Sequence, residues 1–222
     1  MKLTPEAKKV LTFTGTFLIF GVVGGLIVDR IRKVGVTSKN KMAISEKAYI
    51  DAAKRLNVDT AAVKAVAKIE GGSKAFYPET NFPIVRMENH ILRRYCSKNG
   101  LSCPDFGANS YGIGEWNRFK KAYDWNKDAA IYSTSFGLFQ IMGFNHKSCG
   151  YNSLQSFYNA MSESADKQFD AFVSFIQKNN LAQYIQSKNW AGFAYRYNGA
   201  GYAQNAYDVK LANAYAQFLK QG

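Results

Sequence analysis

The chain has 222 residues, 47% hydrophobic and 15% aromatic. It is too rich in core-forming side chains for a disordered protein and long enough for one domain with a short appendage. Its 29 Lys and Arg against 16 Asp and Glu leave a net charge of +13, which attracts polyanions such as nucleic acid, anionic lipid or an acidic cell wall. Nucleic acid is not expected as a partner: there is no zinc-finger spacing and no RNP-like segment, and the basic residues are spread along the chain.

The first element in chain order is Leu11–Val28, LTFTGTFLIFGVVGGLIV, 18 residues without a charge. A helix spanning a bilayer takes about 20 apolar residues. Lys8 and Lys9 precede the segment and Asp29, Arg30, Arg32 and Lys33 follow it, with no small-residue cleavage site, so it reads as an uncleaved span across residues 1–33. Gly21 and Gly25 form a GxxxG pair suited to helix packing in a permanent anchor. The same glycines, with Gly15, Gly24 and three threonines, also lower the cost of leaving the membrane. Anchor and releasable anchor are both open at this point.

Residues 34–43 are mostly polar, without apolar periodicity, and read as a linker. Residues 1–33 hold six basic and two acidic residues, so the rest of the chain keeps 23 and 14, a net +9. The working domain is expected over 44–222. Asp59 or Thr60 is placed to cap a helix ending near Glu70. Ser162 is placed to cap another, with Phe169, Phe172, Val173 and Ile176 at i, i+3, i+4, i+7. Tyr207, Leu211, Ala214, Tyr215 and Phe218 form the stripe of a last helix. A short hairpin is expected within 76–114, and Asp128 is expected as a helix cap. The class is mainly α, a small helical lobe beside a second one.

Glu70 is the first candidate for chemistry. Val63, Val66, Ala67 and Glu70 share one helical face, so the acid lies on the buried side at the C-terminal end. Desolvation and the negative end of the helix dipole both raise a carboxyl pKa. Gly71 and Gly72 are expected to stop the helix and leave open space beside the carboxyl. A protonated acid beside a cavity suits general-acid catalysis; the bland alternative is a helix-end glutamate paired with Lys68 or Lys74.

Two later segments bear on it. In STSFGLFQIMGFN, Gln140 is the one strongly polar side chain between Gly137 and Gly143, and a buried amide there needs a partner or a polar ligand. In WAGFAYRYNGAGYAQNAYD, Tyr195, Tyr197, Tyr202 and Tyr207 surround a turn at Asn198 and Gly199. Aromatic faces with amide donors suit sugar rings.

Cys96, Cys103 and Cys149 read as three buried free thiols, with one bridge as the alternative in an oxidising compartment. There is no C-x-x-C pair and the only histidines are His90 and His146, so neither a metal nor another cofactor is expected. A Cys–His nucleophile is a remaining alternative.

In this order, AVAKIEGGSKAF, PIVRMENHILRRY, DAAIYSTSFGLFQIMGFN and FAYRYNGAGYAQNAYDVKLANAY resemble the lysozyme-like superfamily. The finer resemblance is to phage N-acetylmuramidase endolysins, over roughly residues 45–222. The N-terminal span resembles that of signal-arrest-release endolysins. The resemblance implies an α+β lysozyme-like, two-lobed domain with a sugar-binding cleft. It implies hydrolysis of the β-1,4 bond between N-acetylmuramic acid and N-acetylglucosamine, with lysis of a host cell from the periplasm. Glu70 would protonate the glycosidic oxygen. Gln140, Tyr197 and Asn198 would line the cleft with Ser135, Phe139 and Tyr202, and Glu88 would assist. The chain departs from the family pattern at Gly71, where serine is frequent, at Met87–His90, and at Phe136, where tryptophan is frequent.

The partners implied are bacterial peptidoglycan and the host inner membrane through residues 11–28, with a monomeric domain in the periplasm and release on depolarisation. A second carboxylate is sought among Asp105, Glu115, Asp124 and Asp128, since a hydrolase uses two. A membrane-associated lytic transglycosylase, which needs no base for water, is the first alternative. A non-catalytic peptidoglycan-binding or pore-forming membrane protein is the second.

Overall fold

The computed structural model describes residues 41–72 and 74–221. The expected span at 11–28 and the linker up to residue 40 lie outside the described residues. Among the described residues no helix is long and apolar enough to cross a membrane.

The domain is mainly helical. Helix α1 (Glu46–Leu56) starts at Ser45, whose hydroxyl accepts the Ala48 N–H, and stops where Asn57 turns left-handed at φ 53°. Helix α2 (Thr60–Glu70) is capped by Asp59, which accepts the Ala62 N–H at 2.7 Å. After strand β1 (Val85–Met87) come α3 (Asn89–Lys98), α4 (Ile113–Trp125) and α5 (Lys127–Tyr132). Strands β2 (Thr134–Phe136) and β3 (Ile141–Met142) form a tight hairpin, followed by α6 (Leu154–Glu163) and α7 (Ala165–Lys178). Helices α8 (Ala182–Gln186), α9 (Trp190–Asn198) and α10 (Tyr207–Leu219) complete the chain.

Several expectations shift by a few residues. Ser162 does not cap α7. A capping box between Ser153 and Ser156 starts α6, which runs through Ser162 to Glu163, and the extended Ser164 caps α7 by accepting the Lys167 N–H. Asp128 is likewise not a cap: Asn126 closes α4 and accepts the Ala129 N–H at 2.9 Å, leaving Asp128 in the first turn of α5. The hairpin within 76–114 reduces to one bridge between Phe76 and Pro83. Strand β1 pairs instead with distant β2, Arg86 opposite Ser135, in an antiparallel sheet of order β1-β2-β3.

Cys96 and Cys103 are bridged, with Cα atoms 5.7 Å apart, and the remaining Cys149 is buried and free. Three free thiols are therefore not what the fold holds: the turn after α3 brings the first two within bridging distance. Burial pushes the Cys149 thiol up to about 12, which excludes it as a thiolate nucleophile.

The main hydrophobic core runs through the domain, with a smaller cluster beside it. Phe119 of α4 meets Phe136 of β2 edge-on at 5.4 Å, and Phe136 meets Phe157 of α6 at 5.8 Å. All three rings are at most 1% exposed, so truncating any one to alanine costs about 3–5 kcal/mol. The Phe172 ring of α7 lies flat on Phe139, 4.1 Å away, and so fixes the turn of the β2–β3 hairpin against the helical body. Met42 and Ile44 pack on Ala75, Phe76 and Ala165, which brings the chain from Lys41 into the folded body.

Candidate active site

Glu70 is the last residue of α2. The Gly71 N–H makes the final helical bond to the Ala67 carbonyl, and Gly72 then donates to the Leu138 carbonyl at 2.7 Å. A Cβ on Gly71 would sit 2.5 Å from the Ala67 oxygen and 3.4 Å from Leu138. The double glycine therefore does not leave open space, as the sequence suggested. It lets the β2–β3 turn close against the helix end.

The Glu70 carboxyl is partly buried, and burial raises its pKa from 4.5 to about 7. The Asn198 side chain opposes that rise by donating to Glu70 Oε1 at 3.1 Å. Neither lysine of the bland reading holds the carboxylate: Lys68 donates to Gln217 at 2.8 Å, and Lys74 makes no ion pair among the described residues.

Asn198 ends α9, which Asn189 caps by accepting the Gly192 N–H and Gly199 closes with a φ of 80°. One residue earlier, Tyr197 lies parallel to Phe193 at 5.7 Å and edge-on to Phe172 at 5.6 Å. Burial pushes its phenol pKa up strongly, with the Glu70 charge adding to the shift. Tyr202 is half-buried and meets the exposed Tyr195 ring edge-on at 6.2 Å. The structure thus brings Asn198 and Tyr197 to Glu70, with Tyr202 on the turn that follows.

The hairpin supplies the other side. Gln140 is exposed rather than buried, in a left-handed turn position at φ 46°. Its amide is largely satisfied inside the hairpin: Oε1 accepts from the Ser135 hydroxyl at 2.9 Å and Nε2 donates to the Gly137 carbonyl at 2.8 Å. Ser135 is buried behind it. Phe139 is core, 5% exposed beneath Phe172, and offers no free ring face to a sugar. Its apolar run in the sequence gave no means of separating core from cleft wall. Glu88 follows β1, where it accepts from Arg86 Nε at 3.2 Å.

The four acids considered as second carboxylates have other partners or surroundings. Glu115 is 2% exposed and accepts the Met87 and Ser110 N–H groups, both at 2.8 Å, and the Arg118 guanidinium at 2.6 Å. Burial works to raise its pKa, but Arg118 and the two N–H groups outweigh it and hold the carboxyl below the usual range. Asp124 pairs with Lys120 on the surface, Asp105 accepts the Gly107 N–H at 2.9 Å, and Asp128 is exposed.

Sequence reasoning missed Gln168. This α7 residue is 1% exposed; its carbonyl accepts the Leu138 N–H at 2.7 Å and its amide donates to the Met161 carbonyl at 2.8 Å. Its signal was a polar residue one turn before Phe172 on the apolar stripe. Among the described residues no cluster of three His, Cys, Asp or Glu side chains is placed to hold a metal.

A partly buried glutamate at a helix end, an amide donating to it, and a β-hairpin closed over the next glycines define a lysozyme-like glycan-cleaving domain. The N-acetylmuramidase family model matches residues 59–219, and the chain belongs to that family of peptidoglycan-degrading glycoside hydrolases. The crystal structure of a Burkholderia AP3 phage endolysin is similar, at a TM-score of 0.72 and 34% identity over 80% of this chain and 71% of that one. No curated protein sequence matches the chain.

Proposed function

We propose that this muramidase is an endolysin in which Glu70 is the general acid, protonating the glycosidic oxygen between N-acetylmuramic acid and N-acetylglucosamine. The observation that carries the reading is the Glu70 carboxyl itself, raised to about 7 by burial, so that it still holds its proton near neutral pH. Asn198, Tyr197, Gln140 and Tyr202 bind the sugars around it, with Ser135 holding the Gln140 amide from behind. Glu88, held by Arg86, helps to place the attacking water. The similarity to a phage endolysin supports the lytic role.

Residues 1–33 serve as a releasable inner-membrane anchor, 34–40 as linker, and the folded body that begins at Lys41 as a monomeric catalytic domain in the periplasm. The Cys96–Cys103 bridge supports an oxidising compartment, and the net +9 charge of residues 34–222 favours the anionic wall. The test is mass spectrometry of purified peptidoglycan digested by the full chain. Reducing N-acetylmuramic acid ends are expected. Products with 1,6-anhydro ends would show that the substrate's own hydroxyl, not water, attacks, and would replace the hydrolase by a transglycosylase. A tagged chain that stays in the membrane after depolarisation would overturn the release.

A further inference from the structure

Away from Glu70, helix α3 and the segment 103–107 enclose a cavity of about 250 Å³. Leu92 and Arg93 of α3 line it together with Pro104, Asp105 and Phe106 of the following segment. Leu92 is 2% exposed, whereas both charged residues are open to solvent. Opposite charges face the same small space without closing on each other. Among the described residues no carboxylate lies within 4.0 Å of the Arg93 guanidinium, and Asp105 commits one oxygen to the Gly107 N–H and leaves the other open.

The wall is held in place at both ends. Cys103 is bonded to Cys96 of α3. The Asn89 side chain donates to the Gly107 carbonyl at 2.9 Å, and Arg118, fixed by Glu115, donates to Asn89 Oδ1 at 2.6 Å. A disulfide and a hydrogen-bonded buried ion pair thus fix the segment that carries Asp105 against α3.

Strand β1 connects the cavity to the hairpin that closes on the Glu70 helix end. Asn89 directly follows Glu88, and β1 begins beside Ile84, whose carbonyl accepts the Gly137 N–H of the hairpin turn at 2.7 Å. The four steps along the extended chain from Ile84 to Glu88 cover roughly 13 Å at ~3.3 Å each, about the reach of an extended tri- or tetrapeptide hanging from a bound sugar.

We propose that this cavity is a subsite for the stem peptide of peptidoglycan, and specifically for the free α-amino-acid end of a diamino diacid in that stem. The carboxylate pairs with Arg93, the ammonium with Asp105, and the methylene chain lies on Leu92. A guanidinium suits the carboxylate because it offers parallel N–H donors to both oxygens. The subsite rests on the muramidase reading above, because only that substrate delivers the stem.

The experiment compares the full chain with Arg93→Ala, Arg93→Lys and Asp105→Asn on soluble peptidoglycan fragments of the diamino-diacid type. The same fragments stripped of stems by an amidase are the second substrate. For Arg93→Ala, KM on intact fragments is expected to rise about tenfold with kcat unchanged, and stripped glycan to be cleaved as by the parent. Arg93→Lys restores part of the loss. In a titration with the stem tripeptide, the Asp105–Gly107 amide resonances shift in the parent and not in Arg93→Ala, and amidation of the distal carboxylate abolishes the shift. Parent-like KM in the variants, or equal losses on intact and stripped substrates, would overturn the subsite while leaving the hydrolase intact. Failure of the parent on both substrates would instead overturn the hydrolase reading and the subsite with it.

Discussion

The Asn198 side chain donates to Glu70 Oε1 at 3.1 Å, from the end of one helix to the end of another. That bond favours the ionised carboxylate, whereas burial favours the neutral acid. Removing it with Asn198→Ala should therefore raise the Glu70 pKa above about 7. The alkaline limb of the kcat/KM profile is expected to move to higher pH even as the rate falls. An unmoved limb would mean that another group sets it.

Glu70→Gln should lower activity by about 10²–10⁴-fold, the usual contribution of a general acid. Folding should respond in the opposite sense. The native pKa of about 7 lies above the ordinary value of 4.5, so Glu70's contribution to stability is fully present below 4.5 and is lost as pH rises toward and through 7. The Gln variant avoids that loss and should be more stable than the parent at pH 8 by ~1–3 kcal/mol, with the gain gone at pH 4. Urea unfolding at the two pH values reads it.

Glu115 behaves in the reverse way. Its native pKa is lowered, so the stability it contributes is present above the ordinary carboxyl pKa and is lost as pH falls through the native one. Glu115→Gln leaves Arg118 buried without its counter-charge and should cost about 3–5 kcal/mol at pH 7. The parent–variant difference should shrink on acidification, and a constant difference would show that packing rather than charge is at stake.

Gln168→Leu removes the acceptor for the Leu138 N–H and the donor to the Met161 carbonyl. Each buried group left unpaired costs about 1–3 kcal/mol. Hydrogen exchange at Leu138 should quicken, and kcat should fall at temperatures where the variant is still folded. Slow exchange at Leu138 with full activity would show that the turn holds itself.

Glu88→Gln should reduce kcat far less than Glu70→Gln, because the Glu88 carboxylate is tied to Arg86. Equal losses in the two variants would give Glu88 a direct share in the chemistry.

The sequence was legible where structure is local. Asp59 as cap, Glu70 at the end of its apolar face, and the α7 and α10 stripes all follow from a 3.6-residue period. It was silent where partners are distant. Strands of two or three residues carry no usable alternation, so the pairing of Arg86 with Ser135 left no trace. The Cys96–Cys103 bridge depends on a Cα separation that only the turn after α3 sets. Gln140 and Phe139, both expected at the cleft, are separated by the left-handed turn at Gln140, which leaves the amide exposed and turns the ring into the core. Gly71 was read as absence when it is contact.

That contact ties the protonation of Glu70 to the motion of the hairpin. Gly72 is bonded to Leu138, and Leu138 is bonded to Gln168, so the acid's helix end, the turn and α7 are one mechanical unit. If the turn lifts away, water reaches the carboxyl, its pKa falls back toward that of a solvated glutamate, and at neutral pH the proton leaves. A loosened cleft would thus disarm its own acid, and only the closed arrangement keeps the reagent loaded.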